Sequence, residues 1–127
     1  MDFLQRSAVN KSCLPGRVIQ NVVGKQYPIE SGKMTVCFAH YSAESGPMEP
    51  HNHAEETVVV LSAENSYVLW GSSKDCLEHK QVLQTGDVMH FAELEWHVFR
   101  YEKGGHLDAL CIYGQVDNIR PEEIQKN

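Results

Sequence analysis

Between Arg17 and Tyr113 the chain repeats one pattern, a short run of alternating or β-branched residues closed by a cluster of glycine, proline, asparagine or serine. Closely spaced runs of this kind build an all-β sandwich or barrel, and no long helical period competes with them. Arg17 to Val23 reads as the first strand, entered through Pro15-Gly16 and left at Gly24. Met34 to Tyr41 follows, with Met34, Val36, Phe38 and His40 on one face and Thr35, Cys37, Ala39 and Tyr41 on the other. The two prolines of Gly46-Pro47-Met48-Glu49-Pro50 remove ladder donors, so this segment is expected as a rim loop.

Thr57 to Leu61 is the most strand-like run, and Ser62-Ala63-Glu64-Asn65 is expected to end it in a turn. Tyr67 to Trp70 and Cys76 to Leu83 read as a hairpin around Gly71 to Asp75. Thr85-Gly86-Asp87 turns the chain into Val88 to Phe91, and Trp96 to Tyr101 is expected to pair with Leu107 to Tyr113 around Lys103-Gly104-Gly105. At the end, proline and acidic residues in Asn118 to Ile124 favour a short helical turn.

A length of 127 residues suits one domain, expected to span 1–127, with 42% hydrophobic and 22% charged residues. Acids outnumber bases 17 to 11, and the bases are scattered, which argues against nucleic acid or an anionic membrane as a partner. No apolar run approaches the roughly 20 residues that cross a bilayer, and the start lacks signal-peptide character, so a cytoplasmic protein is expected. Cys13, Cys37, Cys76 and Cys111 are far apart and form no C-x-x-C pair; they read as reduced thiols, Cys37 and Cys111 as small core residues.

His51 and His53 stand two apart on an extended segment, so their rings share a face and can share one ion. Glu55 and Glu56 follow at once, and His97, on the strand beginning at Trp96, is the candidate for a further ligand. Strict alternation from His53 puts Glu55 on the ligand face, whereas a one-residue bulge near Ala54 would put Glu56 there.

These residues resemble the two motifs of the cupin superfamily, G-(x)5-H-x-H-(x)3,4-E-(x)6-G and G-(x)5-P-x-G-(x)2-H-(x)3-N. The first is matched from Gly46 through His51, His53 and Glu56 to Ala63, which stands where the family has its later glycine. The second runs from Gly86 to His97 at the family's spacing of eleven positions. The first motif is one residue short in its loop and again before Glu56; the second lacks its P-x-G and carries Tyr101 for the closing asparagine. The resemblance covers about Met34 to Tyr113 and implies a double-stranded β-helix, a jelly-roll-like barrel. It also implies a divalent metal, Mn, Fe, Ni or Zn, on His51, His53, Glu56 and His97.

His90 is a candidate for a general acid or base, with a hydrogen-bonded strand histidine as the more ordinary role, and the same holds for His40. His79 and His106 are expected at the surface. Arg100, the arginine nearest the motifs, should face away from His97, leaving the pocket without an obvious arginine clamp for an anion. The function these readings imply is a metal-dependent enzyme, of isomerase or lyase type, acting on an oxygenated small molecule with the ion as Lewis acid. An iron-dependent dioxygenase and a non-catalytic binding or sensing barrel are the alternatives. A homodimer is expected, with Arg17 to Val23 free to pair with a partner's sheet.

Overall fold

The computed structural model describes residues 1–124. Eight strands form one sheet: β1 (Ser12–Leu14), β2 (Arg17–Gly24), β3 (Ile29–Glu30), β4 (Thr35–Ser42), β5 (Glu56–Gly71), β6 (His79–Val82), β7 (Val88–Phe91) and β8 (Trp96–Tyr113). The hydrogen-bonded order is β1-β2-β4-β8-β5-β6, with β3 beside β2 and β7 beside β5. A single helical turn, α1 (Pro121–Ile124), stands where the terminal turn is expected.

Side-chain parity decides what each strand gives to the interior. In β4, Thr35, Cys37, Ala39 and Tyr41 are buried while Val36, Phe38, His40 and Ser42 are only half so. Of these, Cys37, Ala39 and Tyr41 meet Val58, Val60, Phe99, Leu107, Ala109 and Cys111 from β5 and β8 in one core. The core is small-residue rich on the β4 side, so the walls approach closely enough to leave little interior volume.

Two sequence expectations fail for a common reason. Ser62 to Asn65 is not a turn, and Lys103-Gly104-Gly105 is not a hairpin; β5 and β8 are long continuous strands that bend together. Residues Trp96 to Tyr101 do not pair with Leu107 to Tyr113. They pair with Ser66 to Gly71, while Leu107 to Tyr113 pairs with Glu56 to Ala63. The bend is made by register shifts at Val60/Ser62 and Glu64/Ser66, by Asn65 at φ 47° and by Gly104 at φ 79°. Glycine and asparagine tolerate positive φ, so residues that signal a reversal in isolation here form a corner that curves the sheet.

The Tyr67–Trp70 hairpin is present, pairing with His79 to Val82, so the second strand is shorter than Cys76 to Leu83. The first strand is not β2. Ser12 to Leu14 precedes it and covers its outer side, which leaves β2 between β1 and β4 rather than at an open edge. On the side away from β4, Arg17 to Ile19 pair with β1 and Val23 and Gly24 with β3. No helix among the described residues is long and apolar enough to cross a membrane.

Candidate metal centre

His51 and His97 are tied through their backbones by an antiparallel bridge, each N–H donating to the other's carbonyl at 3.0 and 2.9 Å. A second tie fixes the same loop, because the Leu94 N–H donates to the His53 carbonyl at 2.8 Å. The rim segment holding His51 and His53 is thus fastened to the start of β8, and the three imidazoles converge. Their candidate ligand nitrogens all lie within 4.8 Å of one another.

The ring orientations follow from hydrogen bonds to carbonyl oxygens, which can only accept. Nδ1 of His51 donates to Glu49 O at 3.0 Å, that of His53 to Ala54 O at 2.8 Å and that of His97 to Glu95 O at 2.8 Å. Each neutral ring therefore carries its proton on Nδ1 and presents the Nε2 lone pair inward. Phe91 stacks on His97 with ring centres 3.9 Å apart, fixing that ring's plane. The Nε2 of His97 is buried and has no hydrogen-bond partner. An orphaned buried acceptor is costly in a folded chain, and a bound cation would satisfy it.

Glu56 joins them from the first position of β5. Its Oε1 lies 3.5 Å from Nε2 of His53 and 4.0 Å from that of His97, and only 3% of the residue is exposed. The chain between His53 and Glu56 is not strand, and Ala54 is buried beside His53, so alternation is interrupted where a bulge was needed. Glu55 faces outward instead. It accepts a hydrogen bond from Nε2 of His90 at 2.7 Å, with both side chains more than half exposed. His90, considered as a general acid or base, is thereby placed on the outer surface: its neighbour Phe91 takes the inward position on β7. His40 is also on the outer side, bonded to Asp108 at 3.0 Å. His79 is exposed against Trp70, and His106 is half-buried beside Ser62.

Burial sets the electrostatics. It pushes His51 down to about 4, and it holds His97 well below the usual imidazole range with help from His51 and His53. Burial raises the Glu56 carboxyl, opposed first by His53 and then by the Tyr113 hydroxyl and Cys111 thiol beside it. Imidazoles next to a buried carboxyl form a donor set suited to borderline divalent ions, and the three histidines could hold one.

The wall facing these groups holds residues that the sequence motifs do not mark. Arg17, from the start of β2, and Arg120, just before α1, line the same interior space as His51, His53 and Glu56, along with Tyr41 and Tyr113. No arginine clamp is evident near the motifs in the sequence, and these two arginines come from outside the motif-bearing segment. Arg100 does face away, donating to the Met48 carbonyl at 2.6 Å. Nothing local marks Arg17 or Arg120 in the sequence, because β2 and the residues before α1 are far along the chain from the histidine motifs. Cys37 and Cys111 are buried free thiols opposite one another on β4 and β8, and Cys13 and Cys76 are exposed.

No family model matches this chain, and no curated protein matches it. Solved structures do. A protein from Planctomyces limnophilus aligns over 92% of this chain and 91% of its own, with a TM-score of 0.70 and 13% identity. The polyketide cyclase RemF from Streptomyces resistomycificus aligns over 89% of this chain and 78% of its own, at 0.70 and 18%. Lactobacillus farciminis oxalate decarboxylase aligns over 89% of this chain but 33% of its own, at 0.68 and 15%. Likeness at such identities concerns the fold, and the fold is that of the cupins.

Proposed function

We propose that this cupin-fold chain binds one divalent metal ion, Mn, Fe, Ni or Zn, through His51, His53, His97 and Glu56, and uses it on a small oxygenated molecule as an isomerase or lyase. The observation that carries this reading is the unpartnered, buried Nε2 of His97 among three rings whose Nδ1 atoms are already committed to carbonyls. Such commitment leaves each ring one task, donation from Nε2. When bound, the ion would supply Lewis acidity toward a substrate oxygen.

The chain's own residues prepare the rest. Phe91 and Phe99 flank His97 and keep water from its ring, while the carbonyls of Glu49, Ala54 and Glu95 hold the tautomers. Glu56 contributes the one carboxylate, which offsets part of a divalent charge in a site too buried for solvent to do so. An enzymatic reading gains support from two structural neighbours that are a cyclase and a decarboxylase. The test is metal analysis of protein purified without an affinity tag, followed by a substrate screen on the loaded protein. About one ion per chain is expected, and the His51→Ala/His53→Ala double variant should lose it; unchanged stoichiometry in that variant would sink the reading. Oxygen uptake by iron-loaded protein would replace Lewis-acid chemistry with a dioxygenase.

A further inference from the structure

The space enclosed by His51, His53, Glu56 and Arg17 is about 10 Å³, room for no more than one water. Any larger ligand must therefore displace part of the wall. Most of that wall is ladder-bonded strand, but on one side it is the turn of α1, and the contact closing that side is specific. Arg17, only 6% exposed, donates from Nη1 and Nη2 to the two carboxylate oxygens of Glu122 at 2.8 and 2.9 Å. Its Nη1 also donates to the Pro15 carbonyl at 3.0 Å. Outside this pair a cleft of about 240 Å³, lined by Pro15, Pro50, His51 and Pro121, opens to solvent. Arg17 and Glu122 border that cleft, and Arg17 borders the inner space as well.

We propose that Arg17 is a carboxylate-recognition residue of this site and that Glu122 occupies it as an internal stand-in, displaced when the carboxylate of a small anionic ligand enters from the cleft. A buried guanidinium requires a compensating anion, and the two-pronged pairing seen with Glu122 is the one that a free carboxylate makes. The two partners are held unequally. Arg17 is fixed in β2 between β1 and β4, whereas Glu122 sits on a single helical turn with 38% of its side chain already exposed. Released, Glu122 returns to water at little cost, and the incoming carboxylate restores the charge balance around Arg17. The ligand's remaining atoms would then lie against His51, on the side of the histidine cluster. The proposal rests on the metal reading for what that far end meets, but the carboxylate contact itself belongs to Arg17.

The test uses the full chain, labelled with ¹⁵N, both metal-free and zinc-loaded, with acetate as the probe and acetamide as its uncharged isostere at constant ionic strength. The Nε–H signal of Arg17 should shift saturably with acetate and not with acetamide. Glu122→Gln removes the competing charge and should tighten acetate binding about tenfold, because a ligand is penalised by the fraction of sites its competitor occupies. Adding Arg17→Met to that variant should abolish the saturable response. If Arg17→Met fails to fold, the comparison of wild type with Glu122→Gln still decides. Equal acetate affinity in those two proteins, or equal shifts with acetamide, overturns the proposal. Content of Mn, Fe, Ni and Zn measured on the same samples reports on the histidine cluster separately, so a chain that binds acetate at Arg17 but none of these ions refutes the metal centre alone.

Discussion

Glu55 and Glu56 are adjacent in sequence and lie on opposite sides of the barrel wall, Glu55 bonded to the exposed His90 at 2.7 Å and Glu56 facing Nε2 of His53 at 3.5 Å. Their separation predicts opposite responses to mutation. Glu56→Gln should weaken divalent metal binding by at least about tenfold, since it removes the carboxylate that faces Nε2 of His53 and His97. Glu55→Ala should change it less than about threefold, as expected for a solvent-screened group. Isothermal titration of both variants with zinc measures this, and equal losses would point to a site made of histidines only.

His90 should be dispensable for the metal centre. Its ring bonds to Thr57 at 2.8 Å and to Glu55 on the exposed face of β7, with no path to Nε2 of His97. His90→Ala should retain the wild-type metal content, whereas His97→Ala should lose it; metal analysis of the two purified variants is the measurement.

What the sequence made legible was local. Parity within β4, the turn at Gly86 and the spacing from Gly86 to His97 all follow from neighbouring residues. Two kinds of information were not local. Gly104 and Gly105 carry the composition of a hairpin turn, yet β5 supplies a partner on both sides of them, so the ladder continues through the bend. Arg17 and Arg120 reach the same space as His51, His53 and Glu56 from parts of the chain far from the motifs, a contact for which no short-range spacing exists. The choice between Glu55 and Glu56 lay between these cases: alternation alone turns Glu55 inward, whereas Glu56 is the buried one, and the Leu94 N–H holds the His53 carbonyl where alternation is interrupted.

The bend itself makes a stability prediction. A Cβ at Gly105 would lie 2.5 Å from the Glu64 carbonyl oxygen and 2.8 Å from that of Asn65, both backbone atoms of the facing strand. Gly105→Ala must push β5 and β8 apart at their corner, at a cost of about 2 kcal/mol. Gly32 has open space around it, so Gly32→Ala should stay within about 0.5 kcal/mol of wild type. Chemical denaturation of the two variants compares them, and similar midpoints would mean that the corner yields freely.

Buried neutral imidazoles should make the metal-free protein acid-sensitive before its carboxylates titrate. Burial lowers His51 from 6.5 to about 4, so between those values the unfolded chain binds a proton that the folded chain does not. Stability is therefore fully present above about pH 6.5 and falls as the pH drops toward 4, by on the order of 3 kcal/mol from this residue. Glu56 acts in the opposite sense: its raised carboxyl takes up a proton in the folded state first and favours that state as the pH falls into the carboxylate range. The two effects are separated by His51→Gln, which keeps a polar side chain at the site but cannot titrate there. Urea midpoints of metal-free wild type and His51→Gln, measured from pH 8 to pH 4, should diverge in slope below about 6.5, with the variant flatter. Parallel curves would mean that His51 is protonated in the folded state, and that its Nε2 is not held as a free lone pair facing His53 and His97.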